Sequence, residues 1–132
     1  MNAPTHAQHL LPTIAIRPVP QVLINTLKSH FGARCSTALA VREQHGRDES
    51  VFDVPPPQAV VFAHTEAEVA RVVALCAAHR VPVIPYGAGS SLEGHLLAVQ
   101  GGISIDLGRM NQVLAINAED LTVTVQPGVT RK

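Results

Sequence analysis

The sequence is poor in aromatic residues and carries no excess of charge. Aromatic side chains make up 3% of the residues and tryptophan is absent. Lysine and arginine total 10, aspartate and glutamate also total 10, so the formal net charge is zero. Proteins bind single-stranded nucleic acid on aromatic stacking platforms and duplexes through basic surfaces, so nucleic acid is not an expected partner. Alanine, valine and leucine must fill the core.

Cysteine and long apolar runs are also scarce. The two cysteines, Cys35 and Cys76, are too few for a disulfide framework, and we expect two reduced structural thiols. No positively charged segment precedes an apolar run near Met1, and no run approaches the ~20 apolar residues of a membrane span. We therefore expect a cytoplasmic protein without a transmembrane segment. Peripheral contact with a membrane surface stays open.

Histidine is the one enriched polar residue type, with seven residues. They are His6, His9, His30, His45, His64, His79 and His95. Their spacing matches no template of zinc ligands, so no metal site is expected.

The most informative segment is a glycine-rich loop at residues 85–95, Pro-Tyr-Gly-Ala-Gly-Ser-Ser-Leu-Glu-Gly-His, which follows an apolar segment at 81–84. Glycine allows positive φ, and consecutive N–H groups can then face one anion. We expect the loop to bind a pyrophosphate, and an ordinary turn between strands is the alternative. A Walker A loop is excluded, because no lysine lies between Lys28 and Lys132.

A Rossmann fingerprint fits the loop only in part. Gly87 and Gly89 match its first two glycines, and Asp106 lies about 20 residues further on, where a ribose-binding acid is expected. However, Leu92 occupies the third glycine position. Residues 95–100 are also too few for the crossover helix, which takes about a dozen residues. We therefore predict pyrophosphate binding without a Rossmann helix.

The loop is the first of three motifs that together resemble one known family. The others are Ile105-Asp106-Leu107 with Met110, and residues 125–129, Val-Gln-Pro-Gly-Val. The three resemble the flavin-binding domain of the vanillyl-alcohol oxidase and p-cresol methylhydroxylase superfamily, and most of all its D-lactate dehydrogenase and glycolate oxidase branch. The similarity runs from His45 to the last residue, about two thirds of the chain.

The resemblance implies noncovalent FAD, with its pyrophosphate held by the loop and further contact from a Pro-Gly turn. The implied cofactor-binding residues are Pro85, Tyr86, Gly87, Ala88, Gly89, Ser90, Ser91, Leu92, Gly94, His95, Pro127 and Gly128. In the family, more FAD-binding sequence and a substrate-binding cap follow the point where this chain stops at Lys132. We therefore expect this stretch alone to be inactive, and its catalytic residues stay unknown.

The activity implied by the resemblance is oxidation of a small D-2-hydroxy acid, D-lactate or glycolate, with a hydride equivalent passing from its C2 to the flavin. A cytochrome or a quinone is the implied electron acceptor. The alternative is a stand-alone nucleotide-binding, phosphate-binding or interaction module without catalysis. We favour the enzyme, because the last predicted strands lead toward structure beyond this stretch.

Four polar residues near the loop keep two interpretations each. A pyrophosphate would repel Glu93, which we expect to turn outward or to accept loop N–H groups. Asp106 either binds a ribose hydroxyl or, as we favour, caps the turn at 107–111. Arg109 reaches a phosphate or, by default, stays solvated. For His95 we favour a structural or phosphate contact over a covalent bond to flavin.

Apolar spacing predicts a helix after Pro20, with Leu23, Leu27 and Phe31 on one face and an end at Gly32. A second, shorter helix is predicted at 37–45, with Ser36 as its cap, ending at Gly46. A third is predicted at 66–80, where Thr65 and Glu68 form a capping box and one face carries Val69, Val72, Val73 and Cys76.

Strands are predicted at 59–63, 81–84 and 102–107, and a hairpin at 113–116 and 121–126, whose second strand alternates like a half-buried one. The expected fold is α+β: a small βαβ-type sheet with flanking helices and a β-hairpin, the first part of a p-cresol methylhydroxylase-type FAD-binding domain. We divide the chain into an extended arm at 1–18, a helical segment with a proline-rich linker at 19–57, and a truncated FAD-binding domain at 58–132.

Overall fold

The computed structural model describes residues 15–131, so most of the predicted arm at 1–18 lies outside the described residues. The elements are α1 (Gln21–Phe31), β1 (Cys35–Ser36), α2 (Leu39–Gln44), β2 (Ala59–Phe62), α3 (Glu66–Ala78), β3 (Val83–Tyr86), β4 (Ile103–Asp106), β5 (Val113–Asn117) and β6 (Thr122–Val125). The predicted α+β class, with a small sheet, flanking helices and a hairpin, is confirmed. None of the helices within this range is long and apolar enough to cross a bilayer.

Four strands form one mixed sheet in the order β1-β2-β4-β3. β4 runs parallel to both of its neighbours, and β1 runs antiparallel to β2. The predicted βαβ unit is therefore present, but β4 lies between its two strands. The three parallel strands end on one row, in which Phe62 and Tyr86 flank Asp106. This row marks the carboxyl edge of the sheet, from which the glycine-rich loop leaves.

The core lies between this sheet and the helices α1 and α3. Leu23, Leu27 and Phe31 are buried as their four-residue spacing predicts, and α1 ends at Gly32, whose φ is +56°. α1 and β1 precede the boundary predicted at 57/58 and pack with the same sheet. The boundary itself stays a prediction.

The buried face of α3 is narrower than predicted. Val72 and Cys76 are fully buried, and Val69 is partly buried against the core. Val73, predicted on the same face, is 45% exposed. A helix turns by about 100° per residue, so Val73 points well away from its neighbour Val72.

Both cysteines are free and buried, in agreement with the expectation of two reduced thiols. Burial raises the pKa of the Cys76 thiol to about 11 and also raises the pKa of Cys35, against the charge of Lys28. Because the thiolate is the reactive form, burial makes both residues less reactive than an exposed cysteine.

The second helix begins later than predicted, and the predicted cap is wrong. Ser36 lies in β1, opposite Val60 of β2, and its hydroxyl accepts a 3.3 Å hydrogen bond from the Ala38 amide. The N-cap position of α2 is Ala38, without a side-chain cap. Pairing with β2 keeps the backbone extended at Ser36, so the helix starts only at Leu39.

The N-terminus of α3 is capped by Thr65, as predicted, whose hydroxyl accepts from the Glu68 amide at 3.2 Å. The Glu68 carboxylate accepts from the His64 amide at 2.8 Å and pairs with Arg34 through two contacts of 2.7 Å. Arg34 also donates to the Phe62 carbonyl at 3.1 Å. Mainly through the hydrogen bonds from Arg34, the pKa of Glu68 falls to about 2.

Replacing Glu68→Gln is expected to lower the free energy of unfolding by about 1 kcal/mol at pH 7, since both side chains are partly exposed and screened by solvent. The pKa of Glu68 is lower in the folded state than its ordinary 4.5, so the stabilisation is complete above pH 4.5 and is lost as the pH falls toward 2. Urea unfolding across this window should show a steeper acid loss for the unmodified protein than for the variant. Glu66→Gln, at an exposed position of the same turn, is the control. Equal pH profiles for Glu68→Gln and the unmodified protein would show that the pair contributes nothing.

β5 and β6 form a separate antiparallel pair, which confirms the hairpin. The predicted half-burial of its second strand is wrong, because every residue of both strands is exposed in the structure. The exposed apolar side chains are Val113, Leu114, Ile116, Leu121, Val123 and Val125. Alternation therefore marks a strand with one apolar face, but nothing among residues 15–131 covers that face.

Candidate functional site

The glycine-rich loop connects β3 to β4 without forming a helix, in agreement with the prediction. Gly89 and Gly94 have φ of +72° and +76°, the left-handed region that glycine adopts at no steric cost. The loop leaves from the carboxyl ends of parallel strands, where open α/β sheets commonly bind ligands.

Six consecutive main-chain amides of the loop are free in the part of the chain that the structure describes. Within residues 15–131, the N–H groups of residues 87–92 donate to no acceptor, and the Glu93 amide only approaches the Ser91 hydroxyl at 3.4 Å. The loop borders a cavity of about 300 Å³, lined by Gly87, Ala88, Gly89, Ser90, Ser91, His95 and Leu96. Consecutive unpaired N–H groups around a concave surface are donors of the kind that bind phosphate oxygens.

Half of the predicted cofactor-binding residues line this cavity, namely Gly87, Ala88, Gly89, Ser90, Ser91 and His95. Ser91 Oγ lies 3.0 Å from Nδ1 of His95, a contact that joins the middle of the loop to its last residue. Pro85 and Tyr86 belong to β3, and Leu92 is 68% exposed. Glu93 is also exposed, in agreement with an outward carboxylate.

Tyr86 supports the loop from the strand that precedes it. Its hydroxyl lies 3.4 Å from the Gln44 carbonyl, and a Cβ added to Gly89 would stand 2.3 Å from the same hydroxyl oxygen. Both the positive φ and this close approach therefore require glycine at position 89.

Residues 46–52 also contact the loop, a role that the sequence did not predict for them. The Glu49 amide donates to the Ser91 carbonyl at 3.0 Å. The Phe52 ring packs on Gly94, where a Cβ would stand 3.1 Å from it. The Asp-Glu-Ser sequence at 48–50 is a signal for the Asx turn that it forms, but not for its contact with the loop.

The Pro-Gly turn at 127–128 lies against the turn that follows β4. The Gly128 amide donates to the Met110 carbonyl at 2.8 Å, and a Cβ there would stand 2.4 Å from the Leu107 carbonyl oxygen. Neither Pro127 nor Gly128 lines the loop cavity, so their contact with a cofactor stays a prediction.

Asp106 caps the turn after β4, the role that we favoured for it. Its Oδ1 accepts from the Gly108 amide at 2.8 Å, and its Oδ2 lies 2.8 Å from Nε2 of His45, which is 2% exposed. Burial acts to raise the pKa of Asp106, but hydrogen bonds from His45 and Gly108 and the charges of His45 and Arg109 outweigh it and keep the pKa below its ordinary value. Each oxygen thus has one partner within the protein, in agreement with the cap that we favoured over contact with a ribose hydroxyl.

Two other cavities are less suited to an anion. One of about 620 Å³ is lined by three carboxylates, Glu43, Asp48 and Asp53, against one cation, Arg47, so its charge on balance repels an anion. Another, of about 430 Å³, includes Arg109, which is exposed there, and Arg34, already paired with Glu68. Within residues 15–131 no group of three or more His, Cys, Asp or Glu side chains is placed to hold a metal ion. The loop cavity is therefore the candidate site.

Comparison with known proteins agrees with this geometry. The chain is 50% identical over 97 residues to a probable mitochondrial D-lactate dehydrogenase of Danio rerio, covering 74% of this chain and 20% of that protein. It is 42% identical over 89 residues to glycolate oxidase subunit GlcD of Bacillus subtilis, covering 64% and 19%. The chain thus spans about a fifth of the length of these relatives.

A solved structure of alkyldihydroxyacetonephosphate synthase superposes with a TM-score of 0.71 at 28% identity, covering 87% of this chain and 26% of that chain. The model of a family described as FAD binding domain matches residues 57–132. These residues include the whole glycine-rich loop and its cavity. The resemblance found in the sequence is thereby confirmed, and the chain belongs to the FAD-binding domain family.

Proposed function

We propose that this chain holds the pyrophosphate of FAD in an oxidoreductase that converts a small D-2-hydroxy acid, D-lactate or glycolate, to the 2-oxo acid. The free amides of residues 87–92 around the loop cavity carry the proposal. The names of the relatives, a D-lactate dehydrogenase and a glycolate oxidase subunit, support the activity, which belongs to the whole protein. These relatives also make a module without catalysis the less favoured alternative.

The residues present fit the phosphate groups of such a cofactor. The amides of 87–92 supply neutral donors, and the hydroxyls of Ser90 and Ser91 supply more without bulk. Among the described residues no carboxylate lines the cavity, so none of them opposes a pyrophosphate there by like charge. We propose noncovalent binding, with His95 as a wall of the cavity and Pro127 and Gly128 as further contacts.

When bound, FAD supplies a ring that accepts a hydride equivalent from C2 of the substrate. The task of this chain is to fix the central diphosphate of the cofactor at the edge of a sheet, which helps to orient the flavin ring. We assign substrate binding and proton abstraction to residues outside this stretch. A cytochrome or a quinone is the proposed electron acceptor, and the proposed location is the cytoplasm, with peripheral contact to a membrane.

The test uses the protein expressed from its complete reading frame. It should be yellow with a flavin spectrum, and acid precipitation should release FAD into the supernatant if binding is noncovalent. Anaerobic addition of D-lactate or glycolate should bleach the flavin band, and L-lactate is the control for stereochemistry. A protein that takes up no FAD would disprove the cofactor proposal, and a bound flavin that neither acid reduces would disprove the activity alone.

Ser90→Glu is expected to weaken FAD binding about tenfold at low salt, because a carboxylate enters the cavity beside a diphosphate. Ser90→Gln has nearly the same shape without the charge and is the matched control. Titration of the FAD-stripped protein, followed by quenching of flavin fluorescence, measures both affinities. The difference should shrink as salt rises. Equal affinities at low salt would place the phosphates elsewhere.

A further inference from the structure

We propose that His45 and Asp106 form a positioning pair for the flavin-binding loop, which acts through Tyr86 on Gly89. This inference rests on the proposed function, because it assumes that the loop binds FAD. Neither His45 nor Asp106 lines the loop cavity, so we infer that they affect FAD binding only through the shape of the loop.

His45 contacts the last residue of each of the three parallel strands. Its ring centroid lies 5.5 Å from that of Phe62, in an edge-on arrangement, and 4.2 Å from that of Tyr86. Its Nε2 lies 2.8 Å from Asp106 Oδ2. Phe62, Asp106 and Tyr86 are in register across the sheet, so one side chain joins the whole carboxyl edge.

Both ring nitrogens of His45 have hydrogen-bond partners. Nδ1 lies 2.8 Å from the Val41 carbonyl oxygen, which can only accept, so Nδ1 carries a proton. Nε2 faces a carboxylate that also accepts, from the Gly108 amide through its other oxygen. The contact between Nε2 and Asp106 Oδ2 joins a buried imidazole ring to a partly buried carboxyl group. Removing Asp106 leaves Nε2 of His45 buried without this partner, and removing His45 frees Asp106 Oδ2.

Tyr86 carries the effect of this pair to the loop. It is the last residue of β3, its ring packs on His45, and its hydroxyl is the group that a Cβ on Gly89 would meet. The Tyr86 side chain, which packs on His45, therefore fixes both the start of the loop and the space next to Gly89. If the pair is lost, Tyr86 gains freedom and the loop is no longer held in one arrangement.

The test compares FAD affinity with thermal stability in the FAD-stripped full-length protein. His45→Phe keeps the ring but removes both hydrogen bonds, and Asp106→Ala removes the carboxylate. Each is expected to weaken FAD binding about tenfold, measured well below the unfolding temperature. Because both break the same pair, the double variant should lose about as much as either single variant. His79→Phe, at an exposed histidine at the end of α3, is the control and should bind normally.

Asp106→Asn serves as the conservative variant, and it also covers the case that the other variants fail to fold. It keeps the acceptor for Gly108 and offers an amide to Nε2 of a neutral ring, so FAD affinity should stay within about threefold. Variants with lowered melting temperatures but unchanged affinity would show that the pair only stabilises the fold, which overturns the inference. Additive losses in the double variant would overturn it as well. Failure of the proposed function is distinguishable, since the unmodified protein would then bind no FAD.

Discussion

Gly89→Ala is expected to weaken FAD binding about a hundredfold. Alanine at a φ of +72° costs about 1 kcal/mol in backbone conformation. Its Cβ would also stand 2.3 Å from the Tyr86 hydroxyl oxygen and 2.9 Å from the ring carbon that carries it, so the ring or the loop must move. Together these effects reach about 3 kcal/mol, which corresponds to the hundredfold loss. Titration of the FAD-stripped protein with FAD measures it.

Two further variants separate the loop from a general loss of stability. Gly32→Ala introduces alanine at a φ of +56°, and no atom of residues 15–131 comes within 4 Å of its Cβ. This variant therefore carries the conformational cost alone, at a position far from the loop in sequence. Its FAD affinity should be unchanged. Tyr86→Phe in the Gly89→Ala background removes the nearest clashing oxygen and should restore part of the affinity. If Gly89→Ala binds FAD normally, the loop geometry does not set the affinity.

Local features of the fold could be predicted from the sequence because neighbouring residues determine them. Thr65 caps α3 through a bond to Glu68, three residues away, and Gly32 ends α1. The lack of a helix in the glycine-rich loop follows from the few residues between its last glycine and β4. In each case the deciding contact spans a few positions, so composition and spacing are sufficient.

Features that depend on distant residues could not be predicted. The pairing of β1 with β2 brings Cys35 opposite Val61, and no periodicity is visible in a strand of two residues. The position of β4 between β2 and β3 depends on which strands pair, and the hydrophobic pattern within each strand does not determine this. The same limit applies to the site. His45 and Asp106 are 61 positions apart, so the interpretation of Asp106 as a cap captured only one of its two oxygens.

The exposed hairpin shows a different limit of sequence patterns. Alternation in β6 predicted a strand with one apolar face, and that part is confirmed. The pattern records which face prefers burial, but the burial itself depends on what lies against it. Since the chain spans about a fifth of its relatives' length, we predict that contacts outside this stretch cover Ile116, Val123 and Val125.

Gly102→Ala is expected to cost at least about 3 kcal/mol of folding stability, the largest effect on stability that we predict. Gly102 has a φ of +125° and lies where the chain enters β4, the strand that pairs with both parallel neighbours. A Cβ there would stand 2.4 Å from the Pro82 carbonyl oxygen, which accepts the Ile103 amide at 3.0 Å. The Gly102 carbonyl itself accepts the Gln58 amide at 2.9 Å. Relief of the clash therefore shifts the start of β4 away from both β3 and β2.

Gly32→Ala is again the matched control, because it shares the positive φ and lacks the clash. Thermal unfolding of the FAD-stripped protein should show a small decrease in melting temperature for Gly32→Ala and a much larger one for Gly102→Ala. Since β4 ends at Asp106, a shifted strand also displaces the partner of His45, and FAD affinity should fall together with stability. Similar melting temperatures for the two variants would mean that the sheet absorbs a displaced central strand. The carboxyl edge of the sheet would then be less rigid than its packing implies. Contacts within the loop, and not the sheet, would determine the arrangement of the loop amides.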